Sequence, residues 1–146
     1  MMSHTYHSCG LRMDPSFLHG ALHFHTADSP NGVYAPGCGL EALRFAWGHD
    51  EYMYRLLTHP KNAAACARIP AEGLAMVRYH SCYCWHTSGA YAALASGAGD
   101  AAKKAWVLRF NQYDLYTKAD VVPVLEEVWP YYQGLIDKYC PGKLWW

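Results

Sequence analysis

The chain of 146 residues is 52% hydrophobic and 15% aromatic, which is typical of one globular domain and excludes a largely disordered protein. Its twelve basic and twelve acidic side chains cancel, so no overall charge favours nucleic acid or an anionic membrane, and a small neutral partner fits better. No apolar run approaches the roughly 18 residues that suggest a membrane span, and the cysteines occur without a secretory leader. We therefore expect a cytoplasmic protein with reduced thiols and with no nucleic-acid or membrane partner.

The first 31 residues differ from the rest of the chain. They contain five of the nine histidines and two prolines, and they show no sustained helical periodicity. We expect residues 1–31 to form a poorly ordered leader and residues 32–146 to form the folded part.

Helical periodicity begins at residue 39. The spacing predicts a helix over Gly39–Thr58, with Leu40, Leu43 and Trp47 on one apolar stripe and His49 on another. Two apolar stripes predict that this helix is buried on most of its sides.

Further helices are predicted downstream. One runs over Pro70–His80, because proline is favoured at a first helical position, and another has Asp100 as its N-cap and extends through Asp114. Two more are predicted near Pro123–Trp129 and over Pro130–Tyr139. Since no segment alternates convincingly as a strand would, the predicted fold class is all-α.

Three of these helical segments each place one metal-capable side chain in an otherwise apolar and aromatic stretch: His49, His80 and Asp114. Such groups are costly to bury unless they are paired, hydrogen-bonded or bound to a metal. Two imidazoles and one carboxylate on three helices are the minimal ligand set for a non-haem iron that keeps open positions. Structural zinc is less consistent, because Cys82 and Cys84 are too close in sequence for the usual ligand spacing.

Each candidate also has a simpler interpretation. His49 could pair with Glu51 or with the carbonyl of a neighbour, and His80 could be a hydrogen-bonded core histidine. Asp114 could lie in a polar cluster with Tyr113 and Lys118. His86 follows a tryptophan at a predicted turn and suits a supporting or capping role. Asp50 beside His49 could form the His-Asp dyad of metal phosphohydrolases.

Over residues 32–146 the chain resembles the myo-inositol oxygenases, which are cytosolic, all-helical enzymes of the HD-domain superfamily. The resemblance rests on long matches, which are Cys38-Gly39-Leu40, Trp47-Gly48-His49-Asp50-Glu51-Tyr52-Met53-Tyr54, His80-Ser81, Trp85-His86-Thr87, Phe110-Asn111, Asp114-Leu115-Tyr116-Thr117-Lys118 and the segment from Tyr131 to Gly142. The resemblance implies an HD-domain-like helical bundle, of which this chain holds the C-terminal part.

The resemblance also implies a function and a set of site residues. The family oxidises myo-inositol to D-glucuronate with molecular oxygen at a mixed-valent di-iron centre. By the resemblance, His49 and His80 are ligands of one iron, and Asp114 is the terminal carboxylate of the other. His80 and Ser81 bind the substrate, Ser81 by a hydrogen bond to the polyol, whereas the family's counterpart of Asp50 is not a ligand.

The family supplies three further ligands upstream, one histidine and a His-Asp dyad, together with a substrate-binding lysine. This chain contains none of them in recognisable form, and residues 1–31 do not resemble the corresponding family segment. We therefore expect either a truncated inositol oxygenase or a catalytically inactive, metal-binding remnant. A mononuclear iron site that uses His49, His80 and Asp114 as a facial triad is a further hypothesis.

Overall fold

The computed structural model describes residues 31–114 and 123–146. Almost all of the predicted leader lies outside these residues. The part of the chain described here contains α-helices, two short 3₁₀ helices and no β-strand, which confirms the all-α fold class. The helices are α1 (His49–Thr58), α2 (Ala63–Cys66), α3 (Ala71–Tyr79), α4 (Tyr83–His86), α5 (Gly97–Asp114) and α6 (Leu125–Tyr139), and the 3₁₀ helices are Leu40–Ala42 and Pro60–Asn62.

The helix predicted over Gly39–Thr58 forms only from His49 onward, so its first half is wrong. The prediction that it is buried on most of its sides is also wrong, because only Asp50, Glu51 and Leu56 are buried in α1 and His49 itself is exposed. Leu40 and Leu43 are almost fully buried, but they reach the core from a 3₁₀ turn followed by extended backbone. Trp47, predicted to share their stripe, is 67% exposed. The three-residue spacing between Leu40 and Leu43 is therefore explained by the 3₁₀ turn and not by a long α-helix.

A single helix, α6, replaces the two helices predicted at the C-terminal end. Pro130 lies inside it as the sixth residue, so only the carbonyl of Glu126, in the exposed first turn, loses its helical donor. None of the residues of α6 is buried, and Leu125, Trp129 and Ile136 all expose large apolar side chains.

Asp100 lies within the first turn of α5 and is not its N-cap, because the helix begins at Gly97. Its buried carboxylate accepts hydrogen bonds from the backbone N–H groups of Ser96 and Leu40, both at 2.9 Å. Burial raises the pKa of Asp100, but these bonds and nearby Lys103 hold the pKa below its ordinary value. The contact joins the start of α5 to the 3₁₀ turn.

Helix α3 occupies the centre of the fold, since both α1 and α5 pack against it. The core cluster comprises Leu40, Leu43, Ala75, Tyr79, Cys82, Trp85, Leu94 and Val107. It therefore joins the 3₁₀ turn, α3, α4 and α5 in one apolar interior, while the N-terminal turn of α1 lies beside the end of α3.

Four of the cysteines among the described residues, Cys38, Cys66, Cys82 and Cys140, are free thiols. Cys84 is disulfide-bonded, so the prediction of reduced thiols is wrong for this residue. Within the described ranges, no helix combines the length and the apolar composition that crossing a bilayer requires.

Candidate metal centre

The structure brings two of the predicted ligands, His49 and His80, into direct contact. His49 is the first residue of α1 and His80 is the C-cap of α3. Their Nε2 atoms are 2.9 Å apart, and their ring centroids are 4.9 Å apart with an interplanar angle of 70°. Because α1 packs against α3, two residues separated by 31 positions in sequence present the same ring atom to each other.

The pair fits a metal ion. The Nδ1 atom of His80 is 2.9 Å from the carbonyl oxygen of Val77, and a carbonyl only accepts, so Nδ1 carries the proton and Nε2 is available to a ligand. Metal-bound histidines usually donate their second ring N–H in this way. Two nitrogen ligands in adjacent positions of an octahedral ion lie about 3.0 Å apart when each metal–nitrogen bond is about 2.1 Å. The separation of 2.9 Å matches that geometry.

Asp114 is not part of this pair. It is exposed at the C-terminal end of α5, and its Oδ2 accepts a hydrogen bond from the hydroxyl of Tyr83 at 3.2 Å. Burial and the Asp114 carboxylate together raise the pKa of Tyr83. The ring of Phe110, one helical turn or about 6 Å before Asp114, lies edge-on to the His80 ring at 6.1 Å.

Asp114 therefore does not point into the core, although it follows an apolar stretch of the sequence. The apolar stripe of α5 ends with half-buried Phe110, and the next turn lies beside exposed Tyr83 at the rim of the fold. Nowhere in residues 31–114 or 123–146 do three or more metal-capable side chains form a group that could hold an ion. The three predicted ligands consequently divide into a histidine pair and a separate carboxylate.

Ser81 and Asp50 form a contact beside the histidine pair that the sequence did not reveal. The hydroxyl of half-buried Ser81 donates a hydrogen bond to Oδ2 of Asp50, and the backbone N–H of Glu51 donates to Oδ1 at 2.8 Å. Both carboxylate oxygens of Asp50 are thus occupied within the protein, which offers no support for the phosphohydrolase-type dyad.

His86 is almost fully buried and lies directly behind His80. Its Nε2 is 2.9 Å from the backbone carbonyl oxygen of His80, so Nε2–H donates, and its Nδ1 lies 3.0 Å from the hydroxyl of Thr87. The side chain therefore holds the backbone of a candidate ligand, in agreement with the predicted supporting role.

A buried ion pair joins the same two segments. Nε of Arg78, in α3, donates to Oε2 of Glu51, in α1, at 2.8 Å, and each of the two side chains is at most 5% exposed. Nη1 of Arg78 also donates to Glu41 at 2.8 Å, and the guanidinium lies 4.4 Å from the ring centroid of Tyr54. Because Glu51 and Arg78 are each two positions from a histidine of the pair, the ion pair stabilises the packing that brings the rings together.

Comparisons with known proteins agree on one family. The family model described as "Myo-inositol oxygenase" matches residues 17–146. The chain is 49% identical over 115 residues to an inositol oxygenase of Danio rerio, a match that covers 79% of this chain and 39% of that protein. It is 48% identical over 115 residues to an inositol oxygenase of Homo sapiens, a match that covers 79% of this chain and 38% of that protein. It is 45% identical over 119 residues to inositol oxygenase 2 of Arabidopsis thaliana, where the match covers 82% of this chain and 36% of that protein.

The chain thus spans about two fifths of the length of these curated relatives. The match to the family begins at residue 17, and the boundary predicted between residues 31 and 32 stays a prediction.

Proposed function

This chain belongs to the myo-inositol oxygenase family, and we propose that it carries one iron-binding half of an inositol oxygenase active site. The observation that carries the proposal is the contact between His49 and His80, whose Nε2 atoms lie 2.9 Å apart. The reaction is the oxidative ring cleavage of myo-inositol to D-glucuronate by molecular oxygen. The cytoplasmic location is proposed from the family resemblance; four of the five described cysteines are free thiols and Cys84 is disulfide-bonded.

Each candidate ligand has a distinct role in this proposal. His49 and His80 hold one iron through Nε2, and Asp114 serves a second iron. The separation of Asp114 from the histidine pair supports two ions over a mononuclear triad, which needs all three side chains around one ion. When bound, iron supplies Lewis acidity toward adjacent hydroxyl groups and redox chemistry with oxygen.

The substrate side of the site is formed by His80 and Ser81. Myo-inositol is an uncharged polyol, so its recognition requires hydrogen-bonding groups rather than a charged clamp. Ser81 is half-buried, next to a candidate ligand, and its hydroxyl oxygen retains lone pairs that can accept a hydrogen bond from the polyol. The remaining ligands of a di-iron site come, by the family resemblance, from a region upstream of the residues that match here.

The test measures metal content and turnover together. The chain is loaded anaerobically with iron(II), freed of unbound metal, assayed for iron per chain, and then given myo-inositol with and without oxygen. Wild type should retain iron, and the variant His49→Ala should lose most of it. His59→Ala is the matched control, because His59 lies at the other end of α1, about 15 Å away along the helix, where its Nδ1 accepts the N–H of Lys61.

The outcomes separate the hypotheses. Less than roughly 0.2 iron per chain, an order-of-magnitude threshold, would refute the metal site. Equal losses in His49→Ala and His86→Ala would contradict the assignment of His49 as a direct ligand and His86 as a support. Iron without glucuronate would identify a metal-binding remnant, whereas iron with oxygen-dependent glucuronate would establish the oxygenase activity of this chain.

A further inference from the structure

Asp50 is a buried carboxylate that links two segments of the chain. Its residue is 9% exposed, and it follows His49 directly at the start of α1. One oxygen accepts the N–H of Glu51, and the other accepts the hydroxyl of Ser81 from a segment 31 residues away. The two hydrogen bonds and the position at the N-terminus of a helix both stabilise the negative charge of this buried carboxylate.

The hydrogen bond between Asp50 and Ser81 joins the two chain segments that carry the histidine pair. Asp50 is adjacent to His49 in sequence, and Ser81 is adjacent to His80. The bond therefore spans the same gap as the contact between the two imidazoles, one residue further along each segment. A change in the distance between these segments therefore alters both contacts.

Gly48 provides independent evidence that the carboxylate is closely fitted. A Cβ atom at this position would lie 2.8 Å from Oδ1 of Asp50, closer than real Cβ atoms approach a neighbour. The absence of a side chain at Gly48 therefore leaves room for Oδ1 of Asp50, the oxygen that accepts the N–H of Glu51 while Oδ2 accepts the hydroxyl of Ser81. The chain immediately before His49 is in this way adapted to the position of Asp50.

We propose that Asp50 and Ser81 are positioning residues, whose mutual hydrogen bond holds His49 and His80 at the separation that one metal ion requires. The inference rests on the proposed metal site and adds two residues that do not bind the metal themselves. Partners that orient histidine ligands typically contribute a factor of 10 to 100 in metal affinity. The bond also fixes the hydrogen-bonding role of the Ser81 hydroxyl. Its proton is donated to Asp50, so its oxygen can only accept a hydrogen bond from a polyol hydroxyl.

The experiment titrates the purified full chain with cobalt(II) alone and follows the visible absorption of the bound ion. Ser81→Ala should weaken cobalt binding about tenfold or more, and Ser81→Thr should restore it because the hydroxyl is retained. Thr58→Ala is the matched control, since among the described residues its hydroxyl donates only to the backbone carbonyl of Tyr54 in the same helix, and it should bind as wild type. Because the two residues act through one bond, Asp50→Ala with Ser81→Ala should bind no more weakly than the weaker single variant.

Each alternative outcome of this titration would contradict a specific part of the inference. Wild-type affinity in Ser81→Ala would refute the positioning role alone, because the histidine site would be intact. Additive losses in the double variant, with a much larger loss for Asp50→Ala, would make Asp50 a direct ligand. A wild-type chain that binds no cobalt would refute the metal site and the inference with it. If Asp50→Ala fails to fold by circular dichroism, the comparison of Ser81→Ala with Ser81→Thr still decides the question.

Discussion

Replacing Arg78 with alanine should lower the free energy of unfolding by about 3 kcal/mol. The side chain is 3% exposed and bonds to Glu51, which is 5% exposed, so its removal leaves a buried carboxylate without its closest buried partner. Breaking such a pair costs about 3–5 kcal/mol. We expect the lower end of this range, because Glu51 also accepts a hydrogen bond from Arg55 at 2.6 Å.

Urea denaturation followed by circular dichroism measures the effect, and Arg55→Ala provides a matched control. Both arginines bond to the same carboxylate, but the Arg55 side chain is 58% exposed, so its loss should cost only about 0–1 kcal/mol. Replacing both charges, Arg78→Met with Glu51→Gln, should cost less than Arg78→Ala alone, since no unpaired charge stays buried. A loss in Arg78→Ala that equals the loss in Arg55→Ala would refute the reasoning.

Three further predictions concern stability and thiol chemistry. Asn62 is fully buried and makes two hydrogen bonds to the backbone of Trp145 and one to the backbone of Leu56. Asn62→Ala should therefore lower the free energy of unfolding, measured by urea denaturation, by about 3 kcal/mol. A loss below about 1 kcal/mol would contradict this. The pKa of Asp100 is lowered in the folded state, so its contribution to the free energy of unfolding is fully present above about pH 4 and is lost as the pH falls through the folded pKa. Acid should therefore lower the free energy of unfolding of the wild type more steeply than that of Asp100→Asn. Parallel dependences on pH would contradict this. The thiols of Cys66 and Cys140 are 3.4 Å apart, so the oxidant diamide should join them in a disulfide. The reaction should be faster at alkaline pH, because burial and Cys140 raise the pKa of Cys66 to about 11. Peptide mass spectrometry should detect this disulfide in the wild type and not in Cys66→Ser.

The sequence predicted α3 and α5, the two helices that pack against each other in the core, and it failed where burial did not require a helix. Helix α3 begins directly after Pro70, and the described part of α5 extends to Asp114, as proline placement and apolar periodicity indicated. The segment before His49 misled because Leu40 and Leu43 have helical spacing. A 3₁₀ turn followed by extended chain buries the same two side chains, so periodicity alone could not separate the two structures.

The sequence indicated the two histidines of the candidate site and a supporting role for His86, but it did not indicate the contact between Asp50 and Ser81. The pair of His49 and His80 followed from metal-capable side chains in apolar stretches together with the family resemblance. The bond between Asp50 and Ser81 depends on how α1 crosses the end of α3, which no local pattern reports. Its only sequence signal is that each residue follows a predicted ligand, a weak one in a single sequence.

Three consecutive residues at the start of α1 contact the end of α3 in three chemically different ways. His49 meets His80 through ring nitrogens, Asp50 accepts from Ser81, and Glu51 forms an ion pair with Arg78. Removing one partner of the buried ion pair would leave an unpaired buried charge, whereas the bond between Asp50 and Ser81 joins the two segments directly beside the histidine pair. A metal ion that binds such a prearranged pair does not have to order the ligands itself, so more of its interaction energy appears as affinity. The first turn of α1 is therefore the segment in which the stability of the fold and the chemistry of the proposed site depend on the same packing.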